Sequence, residues 1–237
     1  MRSVSLLVTF PRAAEAAELA RVERGLEVGL HLDLVEGRPV SDPSDVPTLV
    51  GGDGRFLGLT RLFAGVGAGR VRAAEIGAEV RAQVARARAL GTPALAWDSH
   101  RHAHLFPLIA RVVGAVARDE GARWIRRAWP ASRSWKSAAL GAATAASAVF
   151  FREVPGNDRL VDLTFERPRP DAAWVGLLAT LDGVTEVVTH PGPPAGDPAD
   201  TIAAPRARDL ALLTDPILRA GFGDDTVRWR VPPGVVR

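Results

Sequence analysis

Short apolar runs alternate with longer amphipathic stretches along most of this chain, and that alternation constrains the fold more than any other feature. Short apolar runs are typical of buried strands, whereas apolar residues at helical spacing, such as Ile76, Val80 and Val84, are typical of a helix with one buried face. A repeated strand-helix-strand order favours an α/β fold with a parallel sheet covered by helices. The 237 residues are enough to bury a sizeable core, and we expect one domain over residues 1–237.

The predicted elements follow one another almost to the end of the chain. The predicted strands are residues 3–8, 27–34, 94–99, 123–125, 160–165, 185–189 and 226–229. The predicted helices are residues 13–24, 70–90, 107–120, 171–181 and 205–220, and residues 127–159 are irregular or helical. The number of units favours a (β/α) barrel of fewer than eight units. Residues 36–58 form a long loop rich in Gly and Pro, and loops of that length are uncommon unless they have a function.

Composition excludes several classes of protein. Without cysteine, the chain has no disulfide and no thiolate chemistry, so any metal ligand must be a histidine or a carboxylate. Lys and Arg number 30 against 27 Asp and Glu, and no dense basic run is interleaved with aromatic residues, so we expect no nucleic-acid partner. The N-terminus does not resemble a secretory signal, and the most apolar stretch, residues 137–151, is too short to span a bilayer, which favours a cytoplasmic protein.

Histidines lie at the predicted ends of three strands, where ligands bind in parallel α/β folds. These candidates are His31, His190 and the motif Asp98-Ser99-His100-Arg101-His102-Ala103-His104. While the chain stays extended, side chains two apart share a face, so two or three residues of the motif would point into one site. Imidazoles with a carboxylate are a common ligand set for a divalent cation. We interpret the cluster as a metal or catalytic site, against the alternative of hydrogen-bonded surface histidines.

Other polar and aromatic residues leave more than one interpretation open. Asp33 would share the face of His31, as a metal ligand, as a group that orients a ligand, or as a polar strand end. The arginines of residues 126–133 form a solvated face or contact an anionic substrate. The three tryptophans of residues 124–135 pack in the core, stack on sugar rings, or contact a lipid surface.

Several motifs occur together in one order along the chain. They are Ser3-Val4-Ser5-Leu6-Leu7-Val8, Gly29-Leu30-His31-Leu32, Glu36-Gly37-Arg38-Pro39, Asp53-Gly54-Arg55-Phe56, Asp98-Ser99-His100-x-His102-x-His104-x-Phe106-Pro107 and His190-Pro191-Gly192. Over about residues 3–195 this combination resembles the YdjC-like carbohydrate deacetylases, also called the ChbG/HpnK family. The two Gly-Arg loop motifs resemble the hopanoid-biosynthesis-associated branch most.

The resemblance implies a distorted (β/α) barrel and an enzyme that removes the N-acetyl group of an amino sugar or an N-acetylglucosaminyl lipid. It also implies a divalent metal ion, magnesium or alternatively zinc, with His31 and His100 as its ligands. His190 matches the histidine that is expected to protonate the leaving amine. We assign to substrate binding, or to support of the ligands, His102, His104, Asp98, Asp33 and Arg38.

One part of the family pattern is absent from this sequence. The family begins with a strand that ends in Ala-Asp-Asp-Phe-Gly, whose aspartates supply a metal ligand and the general base, and no such motif occurs here. We therefore expect a chain that lacks the family's first strand and helix and is inactive as written. The alternatives are a non-catalytic sugar- or lipid-binding homologue and another metal hydrolase, such as a phosphoesterase. An unpaired edge on residues 3–8 adds a homodimer to the expected partners, and the tryptophans add peripheral membrane contact.

Overall fold

The computed structural model describes residues 3–23, 25–130, 135–164, 173–174, 176–177, 180, 182–193 and 202–216, without the side chains of residues 135–137. The chain divides into two compact units. The first is formed by residues 3–126 and 140–156, and the second by residues 127–139 and the described residues from 157 onward. Both units contain parallel strands and helices, so the predicted α/β class is confirmed.

The first unit has a four-stranded parallel sheet with the strand order β1-β2-β3-β4. In chain order, the elements from residue 3 to residue 151 are β1 (Ser3–Leu6), α1 (Ala13–Val22), β2 (Glu27–Leu32), α2 (Leu59–Gly67), α3 (Ala73–Ala89), β3 (Ala96–Ser99), a 3-10 helix (His100–Leu105), α4 (Pro107–Asp119), β4 (Trp124–Ile125) and α5 (Trp135–Phe151). The predicted strands and helices of this part are confirmed to within a few residues at their ends. α2 was not predicted, because its nine residues give few repeats of the helical period and glycines surround it.

The core of this unit lies between the sheet and its helices. Leu30 of β2, Trp97 of β3 and Val80 of α3 are all fully buried, as the apolar patterns predict. β2 and β3 approach so closely that a Cβ on Gly29 would lie 2.7 Å from the carbonyl oxygen of Ala96, so only glycine fits there. The close pairing of β2 with β3 brings the carboxyl ends of both strands, where His31 and His100 lie, next to each other.

The loop of residues 36–58 is fixed by buried carboxylates of α3. Glu79 is fully buried and accepts hydrogen bonds of 2.9 Å from the backbone N–H groups of residues 40 and 41. Glu75 accepts two hydrogen bonds of 2.7 Å from Thr48, one from its backbone N–H and one from its hydroxyl. A buried carboxylate needs such donors, and the loop needs acceptors for its N–H groups, so each satisfies the other.

The second unit contains β5 (Arg159–Asp162), β6 (Thr185–Val188) and α6 (Ala203–Thr214), with β5 and β6 parallel. Val161, Leu163, Trp174 and Leu212 form its buried apolar cluster. The strands predicted at 160–165 and 185–189 are confirmed, whereas the strand predicted at 226–229 lies outside the described residues. The described residues form no closed sheet, so the barrel stays a prediction. None of the helices in the described ranges is both long and apolar enough to cross a bilayer.

Candidate active site

Neighbouring strands of the first sheet bring polar side chains together at their carboxyl ends. The register of β2 and β3 places His31 opposite Asp98, and His31 Nδ1 lies 2.8 Å from Asp98 Oδ1. Arg126 follows β4 directly, and its Nη1 lies 2.6 Å from Asp98 Oδ2. The ends of β2, β3 and β4 are therefore linked by the contacts of Asp98 with His31 and Arg126, at the edge where parallel sheets bind ligands.

Asp98 is charged although its side chain is only 5% exposed. Burial by itself raises the pKa of Asp98, but the charge of Arg126 and the contact with His31 outweigh burial and hold this pKa well below its usual range. The carboxylate therefore accepts a hydrogen bond from His31 Nδ1, which leaves Nε2 as the ring nitrogen that can act as a ligand. Because Arg126 is buried in this ion pair, the interpretation of the segment as a solvated face is wrong for Arg126.

His100 lies beside His31, immediately after β3. The ring centroids of His31 and His100 are 5.8 Å apart in an edge-to-face arrangement, and His100 Nε2 lies 2.7 Å from Glu36 Oε2. Each imidazole thus has one nitrogen on a carboxylate, Asp98 or Glu36, and its other nitrogen makes no hydrogen bond within the described ranges. Carboxylates fix histidine ligands in this way at many metal sites, so the pair fits a divalent cation. No three His, Asp or Glu side chains of the described residues are grouped to hold one.

Asp33 shapes the turn that follows β2. Its Oδ1 accepts hydrogen bonds from the backbone N–H groups of Val35 at 2.9 Å and Glu36 at 3.0 Å, and its Oδ2 accepts one from Thr9 Oγ1 at 3.1 Å. Burial raises the pKa of Asp33, although these hydrogen bonds and the nearby His100 act in the opposite direction. Both oxygens are engaged, which favours the polar strand end among the three interpretations of Asp33 and fixes the position of the Glu36 backbone.

The chain leaves the extended conformation earlier than the sequence suggests. β3 ends at Ser99, and residues from His100 onward form the 3-10 helix, so the shared strand face expected through residues 98–104 is wrong beyond Ser99. Within this helix Arg101 and His102 have φ values of 51° and 54°. Two successive non-glycine residues in the left-handed region are strained, and such strain is concentrated at functional sites.

The two remaining histidines of the motif differ in their contacts. His104 is buried, donates from Nε2 to the carbonyl of Arg126 at 3.0 Å, and accepts at Nδ1 from Ser99 Oγ at 2.5 Å. Burial lowers the pKa of His104 to about 4, so the ring is neutral and both nitrogens are engaged. Burial also lowers the pKa of His102 to about 3, and its buried Nδ1 has no hydrogen-bond partner within the described residues. His104 therefore supports the backbone, whereas His102 has a buried ring nitrogen that nothing in the described residues satisfies.

Other predicted residues lie apart from these contacts. Arg38 is exposed, and its guanidinium lies 3.5 Å from the carbonyl of Gly54 within the same loop. Trp124 is buried on β4, which confirms core packing for that residue, and Trp129 is half-buried. The side chain of Trp135 lies outside the described residues.

In the second unit, His190 has its own polar partners. β5 and β6 pair Asp162 with Val188, so Thr164 and His190 each follow their strand by two residues. Thr164 Oγ1 lies 2.7 Å from His190 Nδ1 and donates to Asp209 Oδ2 at 2.5 Å. The backbone N–H of His190 donates to the same Asp209 oxygen at 2.9 Å. The buried carboxylate of Asp209 therefore holds His190 directly at its backbone and, through Thr164, at its ring.

Comparison with known proteins identifies the family. A family model described as YdjC-like protein matches residues 1–222. The chain belongs to the YdjC-like family. It is 32% identical over 260 residues to the carbohydrate deacetylase of Mus musculus, across 95% of this chain and 83% of that protein. It is 37% identical over 120 residues to the chitooligosaccharide deacetylase of Serratia marcescens, across 50% of this chain and 46% of that protein.

A solved structure supports the YdjC-like fold of the chain. A crystal structure of an Enterococcus faecalis protein, named as a candidate cellobiose-phosphate cleavage protein, matches with a TM-score of 0.75 and 24% sequence identity. The match covers 96% of this chain and 85% of that one, and at this identity it shows the fold alone.

Four residues beside the histidines of this YdjC-like chain were missed as site residues by sequence reasoning. They are Glu36, Arg126, Thr164 and Asp209. Glu36 opens a motif of the family resemblance, and Thr164 has the same offset from its strand end as His190, so a signal existed for both. Asp209 contacts a residue 45 positions away, and no local pattern predicts that contact.

Proposed function

We propose that this YdjC-like chain is a carbohydrate deacetylase that hydrolyses the N-acetyl group of an amino sugar. The names of its relatives support this proposal, and so does one observation above others, the adjacent imidazoles of His31 and His100. Two neighbouring imidazoles, each with one nitrogen on a carboxylate, are part of the ligand set that hydrolases with a divalent cation commonly use.

In this proposal, His31 and His100 would hold a divalent cation, magnesium or alternatively zinc. The cation would act as a Lewis acid that polarises the acetamide carbonyl. Asp98 keeps the proton of His31 on Nδ1 and so presents Nε2, and Glu36 orients His100 through its other nitrogen. His102, whose Nδ1 is buried, keeps the role of substrate binding or ligand support that the resemblance implies.

The family resemblance assigns to His190 the donation of the proton that the leaving amine needs. During hydrolysis the carbon–nitrogen bond of the amide breaks, the acetyl carbon gains the oxygen of water, and the sugar nitrogen gains a proton. An imidazolium can donate that proton, and His190 becomes neutral as it does so. The proton of the attacking water needs a carboxylate base, which the family resemblance assigns to the Asp-Asp motif that this sequence does not contain. We therefore expect activity about 10²–10⁴-fold below that of a relative with the motif.

The Glu36-Gly37-Arg38-Pro39 and Asp53-Gly54-Arg55-Phe56 motifs support a finer proposal for the substrate, an N-acetylglucosaminyl lipid of the hopanoid type. Both motifs belong to one loop, and this loop delivers Glu36 to His100. Membrane contact and a homodimer stay predictions.

The deciding experiment measures acetate and free amine from chitooligosaccharides and from an N-acetylglucosaminyl lipid, with magnesium, with zinc and with a chelator. The Serratia marcescens enzyme serves as the positive control. We expect slow release of acetate and amine in equal amounts, lost on chelation. His190→Gln should reduce kcat by about 10²–10⁴-fold while the affinity for magnesium or zinc, measured by calorimetry, stays unchanged. His31→Gln should remove both metal binding and activity.

A matched control and two contrary outcomes complete the design. Asp42→Asn changes an exposed carboxylate whose hydrogen bonds are to Ser44, and it should behave as the parent. Binding of chitooligosaccharide without any acetate above the level of the His190→Gln variant would favour the non-catalytic homologue. Release of phosphate from phosphate esters instead of acetate would favour a phosphoesterase.

A further inference from the structure

The contacts of Thr164 determine which nitrogen of His190 carries a proton. A threonine hydroxyl has one hydrogen, and Thr164 Oγ1 donates it to Asp209 Oδ2 at 2.5 Å, because a carboxylate oxygen only accepts. Toward His190, 2.7 Å away, the same oxygen can therefore only accept. The proton of that hydrogen bond must come from Nδ1 of His190. Proton exchange with a substrate consequently takes place at Nε2.

We propose that Thr164 and Asp209 are positioning residues that hold His190 in its Nδ1-protonated form, so that Nε2 delivers a proton to a leaving group. This inference rests on the proposed function for the identity of that leaving group, the amine of an amino sugar. The order of contacts, from Asp209 through Thr164 to His190, does not rest on it.

Asp209 is held in a fixed position by burial and by its hydrogen bonds. Its side chain is fully buried, and Oδ2 receives both the hydroxyl of Thr164 and the backbone N–H of His190. The adjacent Arg208 donates to the carbonyls of Leu163 at 2.6 Å and Thr164 at 2.8 Å. Two successive residues of α6 thus tie down the segments that follow β5 and β6. A side chain held in this way keeps one orientation, which proton transfer requires.

Other catalytic histidines are also oriented by a carboxylate, but here the hydroxyl of Thr164 lies between the carboxylate of Asp209 and the imidazole of His190. A partner at one ring nitrogen fixes the tautomer, and the opposite nitrogen reacts. If Thr164 could not accept, the neutral imidazole would exchange its proton between both nitrogens, and the ring would lose its fixed orientation. For Thr164→Val we expect kcat to fall by about 10²-fold, the cost of a misplaced catalytic group, with KM little changed.

The test reads the tautomer directly by NMR of the full chain with histidine labelled by ¹⁵N in the ring. The spectra are recorded where His190 is neutral, and its signals are assigned as those absent from His190→Gln. We expect the parent to show a protonated Nδ1 and an unprotonated Nε2. Thr164→Ser keeps the hydroxyl and should reproduce this pattern. Thr164→Val has the same shape without an acceptor, and its proton should move to Nε2 or be shared between the nitrogens.

Asp209→Leu gives an independent expectation. Without the carboxylate, Thr164 is able to donate to His190 Nδ1, so the proton of the imidazole should move to Nε2. A parent protein with its proton on Nε2, or a Thr164→Val variant with an unchanged Nδ1 proton, would overturn the proposal. If a variant does not fold, the spectrum of the parent alone still decides. If the tautomers behave as expected but no N-acetyl sugar is hydrolysed, the proposed function fails while the positioning role stands.

Discussion

Acid should destabilise the folded chain through His104, and the structure sets the size of the effect. His104 is buried between Ser99 and the carbonyl of Arg126, and burial lowers its pKa in the folded state to about 4. In the unfolded chain the pKa of a histidine is about 6.5. Below pH 6.5 the unfolded chain therefore binds a proton that the folded chain does not, and the free energy of unfolding falls with pH.

The difference between these two pKa values gives the magnitude. At 1.36 kcal/mol for each pKa unit, a pKa that falls from about 6.5 to about 4 corresponds to about 3 kcal/mol. The contribution of neutral His104 is complete above pH 6.5 and is lost progressively as pH falls to about 4. The loss is a large part of the stability of a typical domain, so it is measurable.

The assay is urea unfolding at several pH values between 7 and 4, for the parent and for His104→Gln, which cannot titrate. Fluorescence of the buried Trp97 and Trp124 reports the transition. Other histidines and carboxylates titrate in both proteins, so their effects cancel in the difference. We expect the parent to lose about 3 kcal/mol more than His104→Gln over this range. Equal losses in the two proteins would refute the assignment of His104 as a buried neutral residue.

Two further substitutions test packing and the loop anchor, each by the urea midpoint. Gly114→Ala would push a methyl group against the carbonyl of Phe150 and should lower the free energy of unfolding by about 1–3 kcal/mol. Gly67→Ala, with open space around its Cβ, is the control and should not destabilise the protein. Equal effects of the two substitutions would contradict the close approach at Gly114. Glu79→Ala leaves two backbone N–H groups of the loop without their acceptor and should cost about 2 kcal/mol, and the exposed Glu18→Ala serves as the control that leaves the midpoint unchanged. An unchanged midpoint for Glu79→Ala would show that α3 does not anchor the loop.

The sequence predicts the strands and helices of the first unit because their apolar periods are long and regular. α3 shows this most clearly, since Ile76, Val80 and Val84 repeat at helical spacing and are all buried. Strand ends were predictable too, and they led to His31 and His100. α2 escaped prediction because nine residues carry only two turns of that period.

The contacts within the site depended on information that is not local. His31 meets Asp98 because β2 and β3 are neighbours in a particular register, and the sequence does not state which strands pair. Arg126 was expected in solvent because arginines usually lie there, yet the charge of Asp98 makes its burial favourable. The backbone also turned at His100 where alternation suggested an extended strand, since a left-handed pair of non-glycine residues has no sequence signature.

The anchoring of the 36–58 loop has a consequence for how chains with this architecture can diversify. The segment that carries Glu36 and the segment fixed by Glu79 are tied to the rigid body of the unit, but Gly52 at the far turn faces open space. Insertions or deletions at that turn would alter what projects from the protein without moving the end that reaches His100. The tip around Gly52 can therefore vary in length and composition while the contact of Glu36 with His100 stays intact.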